Sequence, residues 1–159
     1  MTDSAPRSSL TSFLEVASDH PFPIQNLPYG VFAPPETTVS RVGVAIGDQV
    51  LDLAALNDEG IFDLPVLQNE RPFAQPTLND FMALGPSAWS AVRNRLQALL
   101  RADTAELRDD ASLRDRVLHP RADVSLRLPV DIGDYTDFYS SKQHATNVGT
   151  MFRGAENAL

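Results

Sequence analysis

The feature that most constrains the fold is an alternating apolar pattern on either side of Gly47 and Asp48. Alternation with a period of two is typical of a strand with one buried face, and a Gly-Asp pair suits a tight turn between two such strands. The sequence therefore predicts a β-hairpin, preceded by a further strand near residues 29–32. The apolar residues of the hairpin pattern are Val42, Val44, Ile46, Val50, Leu51 and Leu53.

Helical patterns follow the hairpin. Thr77 is predicted to cap a short helix that ends at Gly85, and a longer helix is predicted to begin at Pro86 or Ser87. Apolar residues at helical spacing predict that one face of the longer helix is buried. A third helix is predicted at about 111–118. The apolar stripe of the longer helix consists of Trp89, Val92, Leu96, Leu99 and Leu100.

Alternation returns at 124–130, where apolar residues alternate with Ser125, Arg127 and Pro129. This pattern predicts a strand, and the proline favours an edge position because proline cannot donate to a sheet. The polar character after residue 130 indicates a domain boundary at about 120–130. We expect a flexible leader at 1–12, one domain at 13–125 and the start of another at 126–159.

The composition limits which binding partners and which cellular compartment are expected for this protein. The chain of 159 residues has a net charge of −8 and no cluster of basic residues, so nucleic acid is not an expected partner. It has no cysteine, no apolar run of membrane-spanning length and no apolar segment near Met1 that is typical of a signal peptide. We therefore expect no membrane partner and a cytoplasmic location.

The stretch 131–153 holds most of the residues capable of chemistry. His144 lies seven residues after Asp137, which would place both on one face if the segment were helical. The spacing leaves two interpretations open: a proton-transfer residue, or a histidine satisfied by a nearby hydroxyl. His20 and His119 each precede a proline, and surface or capping roles are favoured for both.

The other polar residues of this stretch also have two interpretations. Asp131, Asp134 and Asp137 are carboxylates suited to a hard cation, but they also suit a solvated face or the cap of a following helix. Tyr139 suits either a ligand contact or packing, and Arg153 suits either a substrate carboxylate or a surface ion pair. The residues alone predict a globular α+β chain with an incomplete polar site, and they do not name a reaction.

Three blocks of the sequence give the chain its resemblance to a known family. They are residues 22–32, residues 41–53 with 75–79, and residues 132–149 with 151–153 and 156–159. On these blocks the chain resembles the N-terminal part of the fumarylacetoacetases, and Lys142 stands where the family pattern leads us to expect arginine. The resemblance implies a small SH3-barrel-like domain with short helices, followed by the first segment of a β-rich catalytic domain.

The resemblance also implies an activity and roles for four residues. Fumarylacetoacetases hydrolyse a carbon–carbon bond of a β-diketo acid to give fumarate and acetoacetate, in tyrosine and phenylalanine breakdown. By resemblance, His144 is the general base, Tyr139 and Arg153 contact the substrate, and Asp137 is one ligand of Ca²⁺ or Mg²⁺. A homodimer is the implied assembly of the complete enzyme.

The family pattern continues beyond the residues of this chain, and this affects the activity expected of the isolated chain. The resemblance implies that the chain stops soon after the catalytic domain begins, so most metal ligands and the residue that orients the base are expected to be absent. We therefore expect the isolated chain to be nearly inactive. The alternative hypothesis is a non-catalytic module that pairs with a full-length partner.

Overall fold

A curled, five-stranded antiparallel sheet forms the centre of the protein. The computed structural model describes residues 10–67, 70–136 and 138–159. The strand order is β4-β3-β2-β1-β5, so the last strand in the sequence pairs with the first. The strands are β1 (Tyr29–Ala33), β2 (Arg41–Ile46), β3 (Gln49–Asp52), β4 (Leu118–Pro120) and β5 (Ser125–Arg127).

The predicted hairpin is confirmed as β2 and β3. Val44 pairs with Leu51 and Ala45 with Val50, and the turn places Gly47 at a φ of 52°, a conformation that glycine adopts readily. The strand predicted near 29–32 is confirmed as β1. The alternation located β2 correctly because its apolar residues, Val42, Val44 and Ile46, lie in the hydrophobic core.

Short helices surround the sheet and confirm the α+β class. They are α1 (Leu53–Asp58), α2 (Asn79–Ala83), α3 (Pro86–Leu100), α4 (Ala105–Arg108), α5 (Ala111–Val117) and α6 (Lys142–Arg153). In the described part of the chain, 3₁₀ turns lie at Pro65–Leu67, Pro72–Ala74 and Ala155–Asn157. Within the described ranges, no helix combines the length and the apolar character needed to cross a membrane.

Two details of the predicted helices differ in the structure. Thr77 is not the N-cap of α2, because the N-cap position falls on Leu78 and no side chain caps the helix there. The Leu78 backbone N–H donates to the Pro129 carbonyl at 2.9 Å. In α3 the predicted stripe is buried except at its start, where Trp89 is 40% exposed. The Trp89 indole N–H donates to the Phe81 carbonyl at 2.9 Å, which holds the ring across the junction of α2 and α3.

The core lies between one face of the sheet and the helices. Val31, Val44 and Leu51 from the strands are buried there, together with Val92 and Leu96 from α3. Burial of these aliphatic side chains supplies the main driving force for folding. The core therefore belongs to the segment that precedes α6.

The last strand is shorter than the predicted 124–130 and lies at the sheet edge, as Pro129 suggested. Leu126 of β5 faces Phe32 of β1 across the ladder, yet Leu126 is 76% exposed. Because Ser125–Arg127 pairs with β1, the strand lies across the proposed boundary between residues 125 and 126. The chain then leaves the sheet and continues to α6.

Candidate functional site

Helix α6 presents the first part of the candidate site. It begins at Lys142 because the Ser141 hydroxyl oxygen caps it, accepting from the His144 backbone N–H at 3.3 Å. The expectation that His144 and Asp137 share one helical face stays a prediction, because the described helix α6 begins at Lys142. Asp137, the predicted metal ligand, lies outside the described residues.

The structure brings Tyr139 and His144 together. Their ring centroids are 5.2 Å apart with the planes inclined at 59°, so the tyrosine ring packs against the imidazole. Ser141 contacts the backbone of His144 rather than its ring. Among the described residues neither imidazole nitrogen has a hydrogen-bond partner, and the side chain is exposed. The ring is thus oriented by packing while its nitrogens can reach a ligand or water.

Arg153 lies at the other end of the same helix and contacts its own chain. Its Nε donates to the Asn157 carbonyl at 3.0 Å and its Nη2 to the Ala158 carbonyl at 3.1 Å. Nine residues at 1.5 Å each separate it from His144 by about 13 Å along the axis, and by about half a turn around it. The described part of the structure shows no carboxylate paired with Arg153, so the predicted ion pair is absent there.

The acidic residues before α6 do not converge. Asp131 and Asp134 are exposed, and the Asp134 carboxylate accepts from the backbone N–H of Tyr135 at 2.8 Å. Neither caps α6, because Ser141 has that position. Within the described ranges, no three His, Cys, Asp or Glu side chains are grouped so as to hold a metal ion.

A contact that the sequence analysis missed fixes the start of this segment. The Asn79 side chain donates to the Asp131 carbonyl at 3.0 Å and accepts from the Asp131 backbone N–H at 2.9 Å. This pair of bonds joins α2 to the chain leading to α6. A lone asparagine at the start of a helix gives no sequence signal for a partner 52 residues away.

A second missed cluster surrounds Asp52, which is only 2% exposed. One carboxylate oxygen caps α1 by accepting from Ala55 N–H at 2.9 Å, and the other lies 2.5 Å from Nε of Arg41. The nearer ring nitrogen of His119 is 3.6 Å away, and that ring tilts against Phe32. Asp52 thereby links β2, β3, β4 and α1, which is a structural role.

His20 is also structural. Its Nδ1 accepts from the backbone N–H of Phe22 at 3.0 Å, and its ring meets the Phe22 ring edge-on. This contact satisfies a backbone donor of the loop that leads to β1. Of the residues singled out for chemistry, Tyr139, His144 and Arg153 lie in the α6 segment and are exposed.

Comparison with known proteins places these features in a family. Residues 25–129 match the family described as "Fumarylacetoacetase N-terminal". The chain is 56% identical over 149 residues to a fumarylacetoacetase of Rattus norvegicus, covering 93% of this chain and 35% of that protein. It is 53% identical over 152 residues to one of Dictyostelium discoideum, covering 96% of this chain and 35% of that protein.

A human protein named fumarylacetoacetase is 54% identical over 149 residues, with 93% of this chain and 35% of that protein covered. The chain thus spans about a third of the length of these relatives. Because the matches cover at least 93% of the chain, they reach past residue 129 and include Tyr139 and His144.

Proposed function

The chain belongs to the fumarylacetoacetase N-terminal family, and from this premise we propose that it forms the N-terminal part of an enzyme that hydrolyses 4-fumarylacetoacetate. The products are fumarate and acetoacetate. The observation that carries the proposal is the identity of 53–56% with fumarylacetoacetases, which extends through the segment holding Tyr139 and His144. Sequence similarity that ended with the sheet at Arg127 would not have included Tyr139 and His144.

His144 is the proposed general base. An imidazole can accept a proton near neutral pH, and the exposed ring of His144 has both nitrogens available to water. In the reaction, the oxygen of that water bonds to a carbonyl carbon of the diketone. The adjacent carbon–carbon bond breaks, its electron pair remains on the departing carbon, and that carbon takes a proton. His144 removes the proton that the water loses.

Tyr139 and Arg153 are the proposed substrate contacts. The Tyr139 ring limits the positions of the imidazole, so its hydroxyl and the base can address one bound molecule. The substrate carries a carboxylate at each end of an extended chain. By resemblance we assign Arg153 to one of these carboxylates, which its planar guanidinium can bind through two parallel N–H donors.

Ca²⁺ or Mg²⁺ is proposed on the strength of resemblance, with Asp137 as one ligand. Calcium takes six to eight oxygen ligands, and Mg²⁺ requires an octahedron. The described carboxylates nearest in sequence, Asp131 and Asp134, do not form a cluster with a third ligand. The residues that the structure describes do not make an ion site, so we derive no step of the reaction through the ion.

The proposed domain organisation follows the family. We assign residues 13–125 to an SH3-barrel-like domain that contains the curled sheet up to the start of β5, and residues 126–159 to the start of the catalytic domain. Exposed apolar side chains after the sheet support packing against further protein, either the remainder of a fumarylacetoacetase-length chain or the second subunit of a homodimer. They include Leu128, Ile132, Phe138, Met151, Phe152 and Leu159.

A chimera tests the proposed function. The 159 residues would replace the matching N-terminal part of the rat relative, and hydrolysis of fumarylacetoacetate would be measured with Ca²⁺ or Mg²⁺ present. We expect the chimera to be active and the isolated chain nearly inactive. His144→Ala should abolish turnover, whereas Asn147→Ala, an exposed position on the same helix, should not. A folded chimera without activity would contradict the proposal.

A further inference from the structure

The chain folds back over α6 after Arg153 in a short hook, defined here as residues 154–159. Gly154 begins the hook at a φ of 80°, in the left-handed region that glycine tolerates, and its N–H donates to the Thr150 carbonyl at 3.0 Å. The 3₁₀ turn Ala155–Asn157 then reverses the chain. Ala158 returns onto the helix and is only 6% exposed.

The hook closes onto Gly149. A methyl group at this position would overlap the Ala158 carbonyl oxygen and would lie 2.9 Å from Nη2 of Arg153. Both neighbours are fixed to each other by the hydrogen bond from Arg153 to Ala158. No residue larger than glycine fits between the helix and the hook without moving one of them.

The hook also determines which edge of the Arg153 guanidinium is available. Nε and Nη2 form the side edge of the group, and this edge donates to the carbonyls of Asn157 and Ala158. A guanidinium has five N–H donors in one plane, so the end edge between Nη1 and Nη2 retains donors for a carboxylate. The two backbone carbonyls fix the plane in which that end edge lies.

We propose that Gly149 is a positioning residue that, through the hook, presents the end edge of Arg153 to a carboxylate ligand. Ordering the guanidinium in advance lowers the entropy lost when a planar, bidentate carboxylate contact forms. The choice of a carboxylate ligand rests on the proposed function. The position of the guanidinium rests only on the contacts of Gly149, Ala158 and Arg153.

The test uses the 159-residue chain and three variants. Gly149→Ala opens the hook, and Gly133→Ala is the matched control because a Cβ at Gly133 meets nothing within 4 Å. Arg153→Lys keeps the charge, removes the planar fork and identifies the Arg153 Nε–H signal by its loss. Solvent exchange of that N–H is measured by NMR, and acetate is titrated against sodium chloride at constant ionic strength.

We expect exchange of the Arg153 Nε–H to be about tenfold faster in Gly149→Ala than in the parent chain, the scale of one lost hydrogen bond. Saturable acetate-induced shifts of this signal should also be lost. Gly133→Ala should match the parent in both measurements, and the melting temperature should be equal in all variants because the hook lies outside the core.

Unchanged exchange in Gly149→Ala would overturn the proposal, and so would faster exchange with parent-like acetate binding. A parent chain without a saturable acetate shift would also overturn it. A lowered melting temperature in Gly149→Ala would indicate a merely structural role and count against positioning. These measurements do not involve turnover, so an inactive chimera with the expected exchange and titration results would refute the proposed function alone.

Discussion

Removal of the Asp52 carboxylate is expected to destabilise the protein more than removal of any exposed helix cap. The carboxylate caps α1 and also lies against Arg41 Nε, at 2% exposure. Loss of a cap costs about 1 kcal/mol. Loss of the hydrogen bond to the charged Arg41 costs a further ~1.5 kcal/mol. This value is the low end of the range for such bonds, because the Arg41 side chain is 29% exposed and water can replace the lost carboxylate.

The expected cost of Asp52→Ala is therefore about 2.5 kcal/mol in the free energy of unfolding. Asp110→Ala is the matched control, since Asp110 caps α5 through the Leu113 N–H at 2.9 Å without a buried ion pair. It should cost about 1 kcal/mol. Asp52→Asn keeps a good capping oxygen but loses the charge, and should fall between the two.

Urea unfolding measures these differences, with the fluorescence of Trp89 in α3 as the probe. The chain has a single tryptophan, so the signal reports one site. For a domain of this size the melting temperature should fall by about 10 °C for Asp52→Ala and by ~4 °C for Asp110→Ala. Equal losses for the two alanine variants would refute the reasoning, because burial and the Arg41 contact would then contribute nothing.

Three further outcomes are expected. Arg95 holds the pKa of Glu106 below its usual value, so the stability of this pair is present above pH ~4.5 and is lost as the pH falls through the lowered pKa. Glu106→Gln should therefore be less stable than the parent by about 0.5 kcal/mol in urea at pH 7, and the two should converge in acid. Burial raises the pKa of Tyr29 to about 12, so ultraviolet titration of Tyr29→Phe should lack a phenol that ionises near pH 12. The Tyr29 hydroxyl has no partner within the described residues, and its removal should leave thermal stability unchanged or raised by about 1 kcal/mol. Gly43→Ala should lower the free energy of unfolding by about 1–3 kcal/mol, and with it the melting temperature, since its Cβ would lie within 3.0 Å of two apolar side chains. Gly30→Ala is the control, because its Cβ meets nothing within 4 Å. An equal loss of stability in Gly30→Ala would contradict the packing argument.

The sequence alone determined the local elements of this protein. The hairpin could be predicted because its alternation and its turn lie within about a dozen consecutive residues, and α3 could be predicted because its stripe repeats at helical spacing. Resemblance of the blocks identified the family and directed attention to His144 and Tyr139. Their roles in the reaction remain predictions.

Only the tertiary structure decided how distant residues meet. The pairing of β5 with β1, the bonds between Asn79 and Asp131, and the burial of Asp52 beside Arg41 each join residues separated in the sequence. A periodic pattern shows which face of an element is apolar, but it does not specify the partner that covers that face.

In the candidate site too, the sequence predicts which residues are involved and the tertiary structure decides how they are placed. Its residues could be found in one dense stretch, but the contact of the Tyr139 and His144 rings depends on where α6 begins. The distance from His144 to Arg153 depends on α6 continuing to residue 153. Ser141 sets that start through one capping bond. The need for glycine at 149 arises from a carbonyl nine residues later that returns onto the helix, and this close approach exists only once the hook has folded.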